Sequence, residues 1–341
     1  MFVSRAPYRV SLFGGGTDYP AYFMRNGANV IAASIARYCY ITLRKLPPFF
    51  DSHRTRLVYS RIEAVQNNSD LDHPSARACL SELGIEDGLE IHYDGDLPAR
   101  SGIGSSSAFT VALLAALHAF LGRSLSGMSL AKEAIRVEQK VIGEPVGVQD
   151  QIMCALGGVN VISCGPGDEL KVRPLNVSRS YMDELEQWLL VGYFGAPRLS
   201  RDHAAPLVRG ITDGKHAEVL DATKELAVRA LGVLEAERPI GDLGDLFLEG
   251  WRLKQLLAVE TDSVSPVSEI VKTALRHGAL GGKLMGAGGS GFFLLLAPPT
   301  LQETIRENLP SVRYWTKVKF ARTGAQVWNL ADSTRPLTEQ S

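Results

Sequence analysis

Cysteine is scarce and scattered. Cys39, Cys79, Cys154 and Cys164 are the only four in 341 residues, and no two form a C-x-x-C pair. That excludes the disulfide framework of a small secreted domain and reads as reduced thiols. Excess charge of either sign is absent too: 36 Lys and Arg face 37 Asp and Glu, a formal net charge of −1. No global basic field attracts nucleic acid, although a local basic pocket is allowed. Apolar runs stop short of the ~20 residues of a membrane span; the longest, Ala108 to Leu121, carries His118. Met1 to Gly16 sets Arg5 and Arg9 among apolar residues and breaks at three glycines, unlike the charged-then-apolar order of a signal peptide. None of the seven histidines falls in H-E-x-x-H, so zinc-site spacing is missing. The expectation is a soluble cytoplasmic protein with no nucleic-acid or membrane partner.

What is present is core-forming material, 45% apolar residues over a length that suits two domains or one large α/β unit. Strand patterns cover Phe2 to Phe13, Ala28 to Leu46 as two strands, Arg54 to Ser60 and Leu89 to Asp94, with a helix over Pro74 to Leu83. Ala108 to Leu121 is apolar all round and reads as a buried helix. Ser129 is expected to cap a helix ending at Gly143, and a short helix begins near Asp150. A hairpin of Val159 to Ser163 and Leu170 to Leu175 follows, then a loop from Gly192 to Pro206 near which the domains change. Lys215 to Glu237, Leu243 to Glu260 and Val267 to His277 are amphipathic helices. The strand Phe292 to Ala297, a helix from Thr300 to Leu309 and a strand near Arg313 to Phe320 complete an α+β second half.

Two loops stand out. Leu97 to Ser107 places small residues before the buried helix, so backbone N–H groups and the positive end of a helix dipole can receive a phosphate; a plain Gly/Ser turn before a core helix is the alternative. It is neither a Walker A loop nor the dinucleotide fingerprint. Gly281 to Gly291 holds six glycines in eleven positions, which suits positive φ or the close approach of a ligand, or else a tight connection between strands. Between the loops, Glu138 and Asp150 are candidates for the magnesium site and hydroxyl-activating carboxylate of a phosphoryl transferase, or else a solvated helix residue and a helix cap.

Ala6-Pro7-Tyr8-Arg9 with Gly14 to Tyr19, then Pro98 to Ala108, then Lys283 to Gly291, resemble in order the three motifs of the GHMP kinases. The segments Gly14 to Pro20 and Val148 to Gln151 look most like the branch holding the D-glycero-D-manno-heptose 7-phosphate kinases, with fucokinase-like enzymes nearby. The resemblance implies an α+β, two-domain fold: a domain like the second domain of ribosomal protein S5 over 1–185 and a ferredoxin-like domain over 186–341. It implies that Pro98, Gly102, Ile103, Gly104, Ser105, Ser106 and Ser107 wrap the phosphates of ATP, with Mg²⁺ on Ser106 and Glu138. Asp150 becomes the catalytic base and Arg9 the cation near the transferring phosphoryl group. Gly15, Gly16, Thr17, Asp18, Tyr19, Lys283, Gly286, Gly288 and Gly289 fall on the substrate side, Asp18 matching a residue that holds sugar hydroxyls.

Departures qualify the transfer. Gly15-Gly16 stands where the galactokinase branch has Glu-His, which makes room for a bulkier sugar and disfavours galactose. Ser107 stands where Ala is usual, so Ser105, Ser106 and Ser107 all remain open as the metal ligand, with Ser106 taken first. A substrate that already carries a phosphate needs further cations, and Arg37, Arg198, Arg201, Lys283 and Arg322 are candidates, Lys283 first for its place in a Gly loop. Tyr8, Tyr19, Tyr22 and Tyr38 are candidates to stack on a sugar; an adenine pocket is not legible. The expected reaction is ATP-dependent phosphorylation of an anomeric hydroxyl, on heptose 7-phosphate or on a free sugar such as fucose. A catalytically silent regulator of the same fold is the non-enzyme alternative, and a homodimer is left open.

Overall fold

The structure, a computed structural model, describes residues 1–47, 49–50, 52–99, 101–165, 169–195, 201–257, 265–286 and 291–330. Of residues 201–204 and 265–266 only the backbone is described. Two sheets organise the chain.

The larger sheet runs in the order β12-β1-β2-β5-β3-β4, where β1 is Phe2–Phe13, β2 Ala28–Lys45, β3 Thr55–Val58, β4 Ile62–Val65, β5 Leu89–Gly95 and β12 Gln326–Asn329. The pairs are antiparallel except β3 with β5. Ala28 to Leu46, expected as two strands, is one 18-residue strand. Its first half pairs with β6 (Val159–Gly165) and its second half with β5, so one edge of a continuous strand serves two neighbours while β1 lies along the other. The hairpin of β6 with β7 (Glu169–Pro174) forms as expected.

Strand β1 is buried without interruption from Ala6 to Phe13. Helices α3 (Ser105–Phe120), α5 (Gln149–Leu156) and α8 (Ala217–Glu235) all pack on it. A strand covered in this way has no reason to alternate cleanly. Helix α3 is buried along nearly its whole length, as its composition demands.

Helix α4 (Gly127–Arg136) starts one turn earlier than expected. Ser126, not Ser129, is its cap, its Oγ accepting from the Ser129 N–H at 3.2 Å. The helix continues as a π-helical turn, Val137–Ile142, that ends at left-handed Gly143. Widened turns of this kind re-aim side chains and are frequent at functional sites.

The smaller sheet is antiparallel, in the order β11-β8-β10-β9: β8 is Leu189–Phe194, β9 Gly281–Leu284, β10 Gly291–Leu296 and β11 Tyr314–Lys317. Helices α9 (Gly244–Leu257) and α10 (Ser265–Arg276) pack against β9. Two expected loops are therefore corrected. Gly192 to Phe194 belongs to β8 and helix α7 (Arg201–Thr212) occupies much of the remainder, while Gly281 to Leu284 is a strand. A Cβ on Gly281 would lie 2.5 Å from Cβ of Phe247, so this glycine serves close packing of α9 on β9 and not a ligand. Strand β12, far along the 186–341 stretch, returns to pair with β1 in the larger sheet. Among the described residues no helix is long and apolar enough to cross a membrane.

Candidate functional site

A cavity of about 780 Å³ draws its walls from both halves of the chain. At its floor Arg9 of β1, only 4% exposed, joins three segments. Its Nε donates to Asp150 Oδ1 at 2.8 Å and its Nη2 to Oδ2 at 3.0 Å, while Nη1 donates to the Gly102 carbonyl at 2.8 Å. Such a two-pronged grip fixes the carboxylate plane as well as its position. Asp150 sits in the first turn of α5, where a helix favours negative charge, and its side chain is 27% exposed toward the cavity.

Residues 14–19 cross the same floor. Gly15, Gly16, Asp18 and Tyr19 line the cavity, whereas Thr17 does not: it is fully buried and its hydroxyl donates to the Gly14 carbonyl at 2.8 Å. Thr17 is thus a structural residue of the turn. The Asp18 carboxylate is occupied from within. Oδ2 accepts from the backbone N–H of Val148 and Gln149, and Oδ1 from the Gly16 N–H and Gln149 Nε2, all at 3.0–3.1 Å. Burial pushes its pKa up, opposed by these donors. Asp18 caps the start of α5 and so positions Asp150.

The small-residue loop does what its composition allows. Gly102 and Gly104 take left-handed φ of +84° and +74°, and α3 starts at Ser105 with its N-terminus on the cavity. Pro98 and Ser105 to Ser107 line the wall, while Ile103 is core. The three serines differ. Ser106 is exposed, and it is Ser107, not Ser106, whose hydroxyl donates to Glu138 Oε2, at 2.8 Å. Glu138 is fully buried on the π-helical turn and also accepts from Gln151 Nε2 at 2.5 Å. Among the described residues its Oε1 has no hydrogen-bond partner, and burial pushes the carboxyl up to about 7 against the neighbouring donors.

The second Gly-rich loop packs backbone to backbone on the first. A Cβ on Gly102 would sit 2.7 Å from the Met285 carbonyl, and one on Gly286 2.5 Å from Gly102 Cα. Gly286 and Lys283 line the cavity; Gly288 and Gly289 lie outside the described residues. Lys254 of α9, which carries no motif and escaped sequence reasoning, lines it as well. Its Nζ donates to the carbonyls of Leu284 and Gly286 at 2.7 and 2.6 Å, and Lys283 Nζ donates to that of Leu12 at 2.7 Å. Among the other basic candidates, Arg37 bonds Thr316 and Arg322 is exposed, and neither lines the cavity. Arg198 and the side chain of Arg201 lie outside the described residues.

One end of the cavity is aromatic. Tyr59, His73, Tyr93 and Phe109 line it, with the His73 and Phe109 rings stacked at 4.4 Å. Leu226, Phe247 and Leu257 also line the cavity, with His216 and Thr223 as polar groups. Of the four tyrosines considered for stacking, Tyr19 alone lines the cavity; Tyr8 is core, Tyr22 bonds Asp221 at 2.5 Å and Tyr38 lies under Arg5.

Comparison with known proteins gives this geometry its context. The family described as GHMP kinases N terminal domain matches residues 73–158, and GHMP kinases C terminal matches residues 227–313, together half of the chain. The chain is 27% identical to a D-glycero-alpha-D-manno-heptose 7-phosphate kinase of Campylobacter jejuni, over 96% of this chain and 98% of that protein. It is 31% identical to a bifunctional fucokinase/GDP-fucose pyrophosphorylase of Arabidopsis thaliana, over 62% of this chain and 20% of that one. The crystal structure of a D-glycero-D-manno-heptose 1-phosphate kinase from Bacteroides thetaiotaomicron superimposes with a TM-score of 0.76, at 24% identity, over 97% and 99% of the two chains. With both family domains in order and the two-domain fold reproduced over nearly its full length, the chain belongs to the GHMP kinases and is a phosphotransferase with an alcohol group as acceptor.

Proposed function

We propose that the protein is an ATP-dependent kinase that phosphorylates the anomeric hydroxyl of a sugar, D-glycero-D-manno-heptose 7-phosphate, to the 1,7-bisphosphate for nucleotide-sugar synthesis. The observation that carries this reading is the Arg9–Asp150 pair beside the N-terminus of α3: a fixed carboxylate and a fixed cation next to a ready anion site. The heptose is favoured by the full-length match to a heptose 7-phosphate kinase and by the open Gly15-Gly16 floor.

In this reading ATP lays its phosphates against residues 102–107 and its adenine against the aromatic end formed by Tyr59, His73 and Phe109. The acceptor hydroxyl gives its proton to Asp150. Arg9 occupies one lone pair on each carboxylate oxygen, which leaves the others to receive that proton and holds them aimed at it. The guanidinium charge then faces the transferring phosphoryl group, whose oxygens carry the developing charge.

The residues fit magnesium. Glu138 and Ser107, with Ser106 beside them, form the oxygen-only set this ion takes, and the unpartnered Oε1 is a buried carboxylate oxygen short of a cation. Bound there, the ion would neutralise charge on the ATP phosphates.

A fucokinase-like free-sugar kinase is the second reading, favoured by the fucokinase match. The test is ADP release with Mg-ATP and a panel of heptose 7-phosphate, fucose, galactose, mannose and mevalonate, with phosphorus NMR of the product. A heptose bisphosphate with a new anomeric phosphate supports the first reading, a sugar 1-phosphate from fucose the second, and turnover of mevalonate alone removes both.

A further inference from the structure

Among the described residues, two lysines in the cavity have no acidic partner. Lys254 comes from α9 and Lys283 from β9, elements packed directly on one another, and both side chains are half-buried on the cavity wall. Among the described residues their hydrogen bonds run to backbone carbonyls: Lys254 to Leu284 and Gly286, Lys283 to Leu12. An ammonium has three N–H donors, so one remains on Lys254 and two on Lys283.

Among the described residues neither lysine makes an ion pair, and no carboxylate raises its affinity for protons. Arg9 nearby offers no relief, since its own charge is matched by Asp150. Two ammonium groups enclosed together and near a guanidinium, with no anion beside them among the described residues, are stable as charges only when an anion joins them. Burial accordingly pushes both down, Lys254 to about 7 and Lys283 well below the ordinary lysine range, the neighbouring cations adding to the effect.

We propose that Lys254 and Lys283 form a phosphate-binding subsite, and that the phosphate it takes is the one an acceptor sugar already carries. The assignment to the acceptor rests on the reading of the reaction given above. Lys283 is anchored on Leu12, two residues before the Gly14 to Gly16 turn on the cavity floor, and Lys254 shares its helix with Phe247, which packs on Phe13, and Leu257, which lies beside Gly16. The phosphates of ATP have their own donors at the start of α3.

Calorimetric titration at mildly acidic pH tests the subsite without turnover. Inorganic phosphate is titrated into protein saturated with a non-hydrolysable ATP analogue, followed by heptose 7-phosphate and the dephosphorylated heptose in separate runs. Wild type, Lys254→Met, Lys283→Met and Lys283→Arg are compared. Lys254→Met and Lys283→Met should each weaken phosphate and heptose 7-phosphate about tenfold or more, the loss of a charge-assisted hydrogen bond, with Lys283→Arg retaining most of the affinity. Affinity for the free sugar and the ATP analogue should hold within about twofold on the same scale. Should Lys254→Met fail to fold, Lys283→Met, with a single anchor, decides. Phosphate that fails to bind wild type, or binds both variants unchanged, overturns the subsite. Loss of the ATP analogue in place of the sugar phosphate overturns its assignment to the acceptor. Phosphate binding that depends on the lysines, in a protein that does not accept heptose 7-phosphate, keeps the subsite and rejects only the choice of heptose.

Discussion

Asp18 reaches across 131 positions of sequence to receive the backbone N–H of Gln149 at 3.1 Å, one residue before Asp150. The contact leaves no spare volume, for a Cβ on Gly147 would lie 2.0 Å from Asp18 Oδ2. A carboxylate held by four internal donors is a fixture of the fold, and its first effect on the reaction is through the residue it aims.

Asp18→Asn should therefore act on kcat. The amide turns an N–H group toward donors that need an acceptor, which costs about 1–3 kcal/mol and loosens the first turn of α5. We expect kcat to fall about tenfold or more on that account, with KM for the sugar little changed. A raised sugar KM at unchanged kcat in steady-state kinetics would instead make Asp18 a direct ligand of sugar hydroxyls.

Asp150→Asn keeps the shape of the side chain and removes the base. Turnover should drop about 100-fold or more while binding of an ATP analogue stays intact. Arg9→Lys should also reduce turnover, because a point charge cannot hold both oxygens of Asp150 and the Gly102 carbonyl together. Full activity of Asp150→Asn in the ADP-release assay would remove Asp150 from the role of base.

Gly102→Ala tests the contact between the two glycine loops. At φ +84° a side chain is strained, and its Cβ would press on the Met285 carbonyl. A cost of about 1–3 kcal/mol in unfolding free energy is expected. Displacement of the loop should raise KM for ATP more than KM for the sugar. Gly122→Ala is the control: its φ of +69° carries similar strain, but its Cβ meets nothing within 4 Å, and ATP kinetics should not change.

Lys254 gives stability a pH dependence of known sign. Its ammonium is pushed from an ordinary 10.5 down to about 7 in the folded protein, chiefly by burial. Between those values the unfolded chain binds the extra proton, so its contribution is complete above 10.5 and is lost as pH falls toward 7. Urea unfolding of wild type should thus show stability rising across this window relative to Lys254→Met, with a flat difference below it. A difference that is level throughout would mean that the amine is not enclosed.

Much of this site is legible in the chain because its signals are local. The run Gly102 to Ser107 ahead of an apolar helix announces a loop of positive φ and an exposed helix N-terminus, and both are formed by neighbours in sequence. Pro98, Arg9, Asp150 and Lys283 are found on the cavity where motif order puts them. Thr17 shares the motif yet points into the turn, a distinction of side-chain direction that residue type does not carry. Strands β4 and β12 escape notice because each is four residues long and only partly buried, too short for periodicity to register.

The sequence by itself determined the family, the two-domain α+β fold and the glycine-rich loops, since backbone conformation and helix ends answer to a few adjacent residues. Tertiary structure alone decided which serine meets Glu138, 31 positions away, and that Arg9 grips Asp150 across 141. It alone placed Lys254, a lysine of an ordinary amphipathic helix, on the Gly286 carbonyl 32 residues later. These pairings depend on how distant elements pack, and a side chain's charge and hydrogen-bond partners exist only once that packing has excluded water around it.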